Sequence, residues 1–209
     1  MKKLESTLTN MVIVLVAVAV ITGGVLAWVN EETKGPIAQQ NEQTLADGIK
    51  TVMGVTDLTV TASQETTSNI GGKDYTFVIH QVADKNGRSL GAAVESTTGG
   101  FGGDLKVLVG FGTNHEVLGY TVLQTAETPG LGAKAGKWFQ KDGKGSIIGR
   151  KMDTARPLTV SKDGGDVDAI TASTITSRAF LKAVNQAYAA YAGQHADAQS
   201  GASKQIKDK

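Results

Sequence analysis

Residues 11–29 read MVIVLVAVAVITGGVLAWV, nineteen consecutive positions without a charge, and Leu8 extends the apolar run. A helix needs about 20 such residues to cross about 30 Å of hydrocarbon. Lys2 and Lys3 precede the run, and Glu31 and Glu32 follow it. The positive-inside rule then places the N-terminus in the cytoplasm and everything after residue 30 outside. Trp28 falls where an interfacial aromatic belongs. A cleaved signal peptide is the alternative, with Val25-Leu26-Ala27 as its cleavage site, but the run exceeds the usual h-region of about 7–15 residues. We therefore read a single-pass anchor in the cell (inner) membrane, with the folded part on the periplasmic or outer face.

Composition narrows what that part can be. The 209 residues hold 21 Lys+Arg and 20 Asp+Glu; residues 1–30 take two lysines and one glutamate, leaving 19 of each sign. A neutral chain offers no clustered basic face for nucleic acid. There is no cysteine, which excludes disulfides, a thiol nucleophile, iron–sulfur ligation, CxxCH haem attachment and a lipoprotein anchor. His80, His115 and His195 lie far apart and show no HExxH-type spacing, so no metal site is expected.

Past a short polar linker at 31–35, Pro36 can open a helix, and Ile37, Leu45, Ile49 and Val52 fall near one face of a helix over 36–53 that packs as a scaffold on a sheet. After Gly54 come short runs rich in Val, Thr and aromatics: Leu58–Ala62, Tyr75–Ala83, Leu90–Glu95, Leu105–Phe111 and Val117–Leu123. Gly, Asn and Asp bound them, as they bound strands. Asn86-Gly87 and Thr113-Asn114 read as hairpin turns. With few helices between the strands, a mixed or antiparallel sheet is expected. Ala179, Phe180, Ala183, Val184, Ala187, Tyr188 and Tyr191 form an apolar helical stripe, closed by Gly193 at a C-cap. The class is α+β: one N-terminal transmembrane helix, a sheet domain and a closing C-terminal helix. We divide it into an anchor (1–30), an exported helix and strand scaffold (31–89), a site-bearing domain (90–192) and a polar, disordered tail (193–209).

Three stretches carry the candidate chemistry. Gly99-Gly100-Phe101-Gly102-Gly103 precedes a strand and reads either as a turn or as backbone making room for a flat ligand. Gly130–Lys137 resembles a phosphate loop only superficially. Three residues rather than four lie between Gly132 and Gly136, Trp138 stands where Ser or Thr is required, and the GxGxxG spacing fails by one residue. Glu127-Thr128-Pro129-Gly130-Leu131-Gly132 is a rigid turn that can also present hydrogen-bonding groups. In Asp168–Arg178, five of the seven positions 171–177 carry hydroxyls, immediately before the amphipathic helix. A cap needs one hydroxyl; a helix N-terminus with more of them is a natural seat for phosphate.

The run Asp-x-x-Thr-Ala-Ser-Thr-x-Thr resembles the flavinylation motif of the membrane-anchored FMN-binding domain family, whose usual core is Ser/Thr-Gly-Ala-Thr. Glu127–Gly132 resembles that family's Glu-Thr-Pro-Gly-Leu-Gly signature. The order of the two motifs, the Gly-rich stretch before them and the anchor all agree, and the resemblance covers about residues 90–192 plus the anchor. Within the family the chain is most similar to the G subunits of Rnf ion-translocating electron transport complexes. The C subunits of the sodium-translocating NADH:quinone reductase are the alternative. The resemblance implies FMN held by a phosphoester to Thr174, with Thr176 as the runner-up acceptor. It implies that a separate flavin transferase uses Asp168, and that Thr171, Ala172 and Ser173 complete the motif. Glu127, Thr128, Gly130, Leu131 and Gly132 would lie beside the isoalloxazine ring. Ala172 and Ser173 depart from the usual Gly and Ala. The implied function is electron relay, between other membrane subunits of a complex linking ferredoxin and NAD to ion pumping. The chain would be a redox subunit with no complete active site of its own. An anchored binding module and a ligand-free structural subunit are the rival readings; yellow colour that survives denaturation separates the first reading from both.

Overall fold

The computed structural model describes residues 7–70 and 72–200, with side chains up to residue 193. Lys2, Lys3, the side chain of His195 and the tail beyond 200 lie outside the described residues. The chain forms two compact units, divided between Thr44 and Leu45.

Helix α1 (Leu8–Met53) runs through that division. In the first unit its apolar side chains from Val12 to Val29 are all exposed. One helix here is long and apolar enough to cross a membrane, and a helix apolar all round needs such a cover. Its hydroxyls turn inward: Thr22 donates to the Val18 carbonyl at 2.7 Å and Thr33 to the Val29 carbonyl at 2.8 Å. The linker expected at 31–35 is helical instead, and Pro36 lies inside the helix rather than opening one. Glu and Lys are good helix formers, Lys34 pairs with Glu31 at 2.7 Å, and the Glu32 carbonyl that loses its donor at Pro36 lies in an exposed stretch. Ile37 is exposed and takes no part in the expected scaffold face.

The second unit holds a five-stranded sheet in the order β1 (Thr59–Ile70), β2 (Lys73–Ala83), β3 (Ser89–Gly99), β4 (Asp104–Gly112) and β5 (Val117–Thr125). Every neighbouring pair is antiparallel. β1 runs eight residues past the expected end at Ala62. Its outer half is polar and carries no hydropathy signal; pairing with β2 from Thr66↔Phe77 to Ile70↔Lys73 holds it.

Alternation along the strands separates two packed faces. Phe77, Ile79, Val94, Val107, Val109 and Phe111 face α3 (Thr174–Ser200) and the crossover at 126–173, which contains the single-turn helix α2 (Ala135–Trp138). Val82, Ala93 and Leu108 face the last turns of α1, where Ile49, Val52 and Met53 are buried. The paired Gly110 and Gly119 seat that helix end: a Cβ on either would lie 2.5 or 2.7 Å from the Val52 carbonyl oxygen.

α3 begins at Thr174, so the hydroxyl-rich motif supplies its first turn rather than merely preceding it. It also continues through Gly193 to Ser200, so the expected C-cap and the expected irregular start of the tail are corrected. Phe180 anchors it, stacked on Phe139 at 4.3 Å and edge-on to Tyr120 at 4.7 Å.

Candidate cofactor site

The site forms where three irregular segments meet the sheet edge and the start of α3. The central group is the Glu127 carboxylate, only 6% exposed. Its Oε1 accepts the Phe101 N–H at 2.6 Å and the Gly102 N–H at 3.4 Å. Its Oε2 accepts the Thr176 hydroxyl at 2.9 Å. One side chain thus ties the β3–β4 turn, the loop after β5 and the first turn of α3. The surrounding glycines follow from this. A Cβ on Gly100 would overlap Glu127 Oε1, and one on Gly132 would overlap Oε2 and lie 2.8 Å from the Thr176 hydroxyl. The space that Gly100 and Gly132 leave is taken by a carboxylate.

The 128–139 segment is pinned by Thr128 and Tyr120. The Thr128 carbonyl accepts the N–H groups of Leu131 and Ala133 at 3.1 and 3.3 Å. Tyr120 donates its hydroxyl to the Ala135 carbonyl at 2.6 Å and accepts the Phe139 N–H at 3.2 Å. Burial pushes the Tyr120 phenol well above its ordinary pKa, despite the opposing bond from Phe139. It therefore stays a donor at every physiological pH.

The turn into α3 is fixed by Ser177, whose hydroxyl accepts the Ile170 N–H at 2.9 Å and donates to the Ser173 carbonyl at 3.0 Å. This turn drives Ala172 to φ +61°, in the left-handed region that favours glycine. That is the physical reason glycine suits this position of the motif. Thr174 is half-buried, and Lys162 donates to its hydroxyl at 3.2 Å. The neighbouring Asp163 is occupied by Arg178, at 2.6 and 2.7 Å, and those bonds hold its carboxyl below the usual range. Thr176 is 1% exposed.

A cavity of about 290 Å³ opens between these parts, lined by Phe101, Glu127, Thr128, Leu131, Gly132 and residues 172–176. Of the residues singled out in the sequence, Glu127, Thr128, Leu131, Gly132, Ala172, Ser173, Thr174 and Thr176 come together here. Asp168, Thr171 and Gly130 do not line it. Asp168 is exposed; its carboxylate accepts the Ser161 hydroxyl at 3.5 Å and its backbone carbonyl accepts the Trp138 indole N–H at 2.8 Å. Thr171 is exposed in the turn, and Gly130 holds a left-handed turn at φ +77°. The fold adds Phe101, Ile175 and Lys162, which sequence reasoning does not single out as site residues. Phe101 is 71% exposed and Ile175 53%; large apolar side chains at a cavity mouth are a signal only once the fold is known.

The donor set suits a phosphate with a flat ring beside it. The first turn of a helix presents free N–H groups and a positive dipole end. Lys162 adds a cation next to the Thr174 hydroxyl, and Phe101, Leu131 and Ile175 add apolar walls.

Comparison with known proteins gives the same picture. Residues 100–189 match the model of the FMN-binding domain, and residues 1–52 match that of the RnfG N-terminal region. The G subunit of the ion-translocating oxidoreductase complex of Shewanella baltica is 34% identical over 178 residues, 81% of this chain and 82% of the relative. The protein of the same name from Shewanella oneidensis is 32% identical, covering 84% and 85%. The G subunit of the Na(+)-translocating ferredoxin:NAD(+) oxidoreductase complex of Acetobacterium woodii is 28% identical, covering 86% and 89%. With a membrane-length helix, an antiparallel sheet and a closing helix on one chain that matches these relatives over most of their length, the protein belongs to the family of G subunits of ion-translocating oxidoreductase complexes.

Proposed function

We propose that this chain is an electron-carrying subunit of such a complex, with FMN attached covalently to Thr174. The observation that carries the attachment point is the contrast between two hydroxyls. Both line the cavity, but Thr176 is buried and donates to Glu127, whereas Thr174 is half-buried and accepts from Lys162. FMN supplies the chemistry when bound: it exchanges electrons one or two at a time, joining carriers of either kind. The protein's own residues bind and orient. The Thr174 oxygen carries the phosphate, the N-terminal N–H groups of α3 and Lys162 balance its charge, and Phe101, Leu131 and Ile175 flank the ring. Glu127 acts through the loops it ties rather than through the ring.

The anchor holds residues after 30 at the outer face of the membrane, against other subunits. A flavin transferase loads the cofactor, using the exposed Asp168 as part of its recognition motif. Residues 90–192 hold the flavin, and of the 31–89 scaffold the part from Leu45 onward packs beside them. A covalent link keeps a cofactor that could not be replaced outside the cell.

The test is an intact mass of the full-length chain, co-expressed with a flavin transferase in an exporting host and unfolded before analysis. A gain of one FMN less one water, mapped to Thr174, present in Thr174→Ser and absent in Thr174→Ala, is expected. A modified Thr174→Ala chain refutes the acceptor. An unmodified wild-type chain, in a host that flavinylates a control protein, refutes the carrier reading and favours an anchored binding module.

A further inference from the structure

Lys162 stands among carboxylates yet pairs with none of them. Asp163, Asp166 and Asp168 follow it within six positions. Among the described residues Lys162 nevertheless makes no ion pair, and its hydrogen bond goes to the neutral Thr174 hydroxyl at 3.2 Å. An ammonium gains more from a carboxylate than from a hydroxyl, so the carboxylates must be engaged elsewhere. Arg150 takes Asp166 through its Nη1. Asp168 meets the Ser161 hydroxyl at 3.5 Å. Arg178 takes Asp163 with two bonds, Nε to Oδ2 at 2.7 Å and Nη2 to Oδ1 at 2.6 Å.

The last of these matters most because of where it lies. Ser161–Asp163 form one turn of 3-10 helix, and the side chains of Lys162 and Asp163 both reach α3. They meet it at Thr174 and Arg178, four residues apart and therefore on one face, about 6 Å along the axis. A carboxylate released by Arg178 would lie one helical turn from the Lys162 ammonium. The bonds from Arg178 also keep the Asp163 carboxyl below its usual range, so it is a charged competitor at physiological pH. The planar guanidinium fork occupies both oxygens at once. Neither Asp163 nor Arg178 lines the cavity.

We propose that Arg178 is a positioning residue: by occupying the Asp163 carboxylate it leaves the Lys162 ammonium on the Thr174 oxygen, free to receive the phosphate of the flavin. This role rests on Thr174 as the attachment point. It differs from that of a brace between the turn and the helix, because a brace needs both partners. Here Arg178 is needed only to neutralise Asp163, and it becomes dispensable once Asp163 is gone.

The test reads flavin attachment, not electron transfer. Full-length variants are co-expressed with a flavin transferase in an exporting host. The flavinylated fraction is taken from the intact mass of the unfolded chain at short times after induction, beside each variant's melting temperature. Lys162→Gln should slow attachment by about tenfold, the scale of one charge-assisted hydrogen bond. Arg178→Gln should slow it by a similar factor, as the freed Asp163 draws the lysine away. Asp163→Asn alone should attach flavin at the wild-type rate or faster, and Asp163→Asn combined with Arg178→Gln should return to that rate. A brace gives a different pattern, in which either single change slows attachment alike and the double variant is no better. That pattern overturns the proposal, and so does a wild-type rate in Lys162→Gln or in Arg178→Gln. Asp163→Asn keeps the test decisive should Arg178→Gln fold badly, since it breaks the same ion pair and slowed attachment there overturns the proposal by itself. A wild-type chain left unmodified, in a host that flavinylates a control protein, sinks the attachment reading and this role with it. A modified wild-type chain with the brace pattern sinks this role alone.

Discussion

The Thr176–Glu127 bond is the most direct handle on the candidate site. Replacing Thr176 with Val keeps the shape of a fully buried side chain and removes only the hydroxyl. Glu127 then loses the one donor on Oε2, while Oε1 keeps the Phe101 and Gly102 N–H groups. A hydrogen bond to a buried charged group contributes about 1.5–3 kcal/mol. A domain of this size loses about 2–4 °C of melting temperature per kcal/mol. With about 2 kcal/mol as the central value, Thr176→Val should lower the transition by about 4–8 °C. Glu127→Ala strands three donors and opens space among them, so about 3–5 kcal/mol is expected. The assay is thermal unfolding of the full-length chain in detergent, followed by near-ultraviolet circular dichroism, for both single variants and the double. If Glu127 ties the first turn of α3 to the loops, the double-mutant cycle yields a coupling of about 1.5–3 kcal/mol. Additivity within about 0.5 kcal/mol would show that the bond does not hold the segments together and would refute the account of the Gly100 and Gly132 positions built on it.

Ala172 at φ +61° predicts that Ala172→Gly stabilises the chain by about 0.5–1 kcal/mol, the left-handed penalty less the added freedom of unfolded glycine; a lower melting temperature would contradict the strain. Gly110→Ala forces a methyl to 2.5 Å from the Val52 carbonyl and should cost about 1–3 kcal/mol, with amide exchange rising first at residues 49–53. For Glu95, burial raises the carboxyl's pKa, but hydrogen bonds from His80 and Lys106 outweigh it and the net shift is downward. A lowered carboxyl contributes stability that is present above its unfolded pKa, about 4.3, and is lost as pH falls through the folded value. Melting temperature should thus fall with acidification below about pH 4.3; Glu95→Gln should flatten that part of the profile, and an unchanged profile would remove Glu95 from the cause.

What is legible in the sequence follows from which interactions are local. The anchor, the cores of the five strands and the amphipathic part of α3 are periodic patterns, and each stands where its pattern lies. The outer half of β1 is polar and largely exposed; only its ladder to β2 holds it, and a ladder leaves no hydropathy trace. Residues 31–35 read as a linker because Pro36 resembles a helix start, whereas the charged residues before it are good helix formers and Glu31 and Lys34 pair one turn apart.

The candidate site divides in the same way. Its glycines and hydroxyls are dense enough to stand out, yet their purpose is non-local. Gly100 is bare because of Glu127, 27 residues away, and Thr176 is held in the interior by a bond to the same carboxylate. A motif made of Thr174 and Thr176 offers two equivalent hydroxyls as long as it is read along the chain. The fold makes them unequal by burying one against a carboxylate and leaving the other beside Lys162. Sequence spacing names the candidates; what distinguishes them is which hydroxyl is accessible and which is shut in the interior, and that is set by residues on three separate segments.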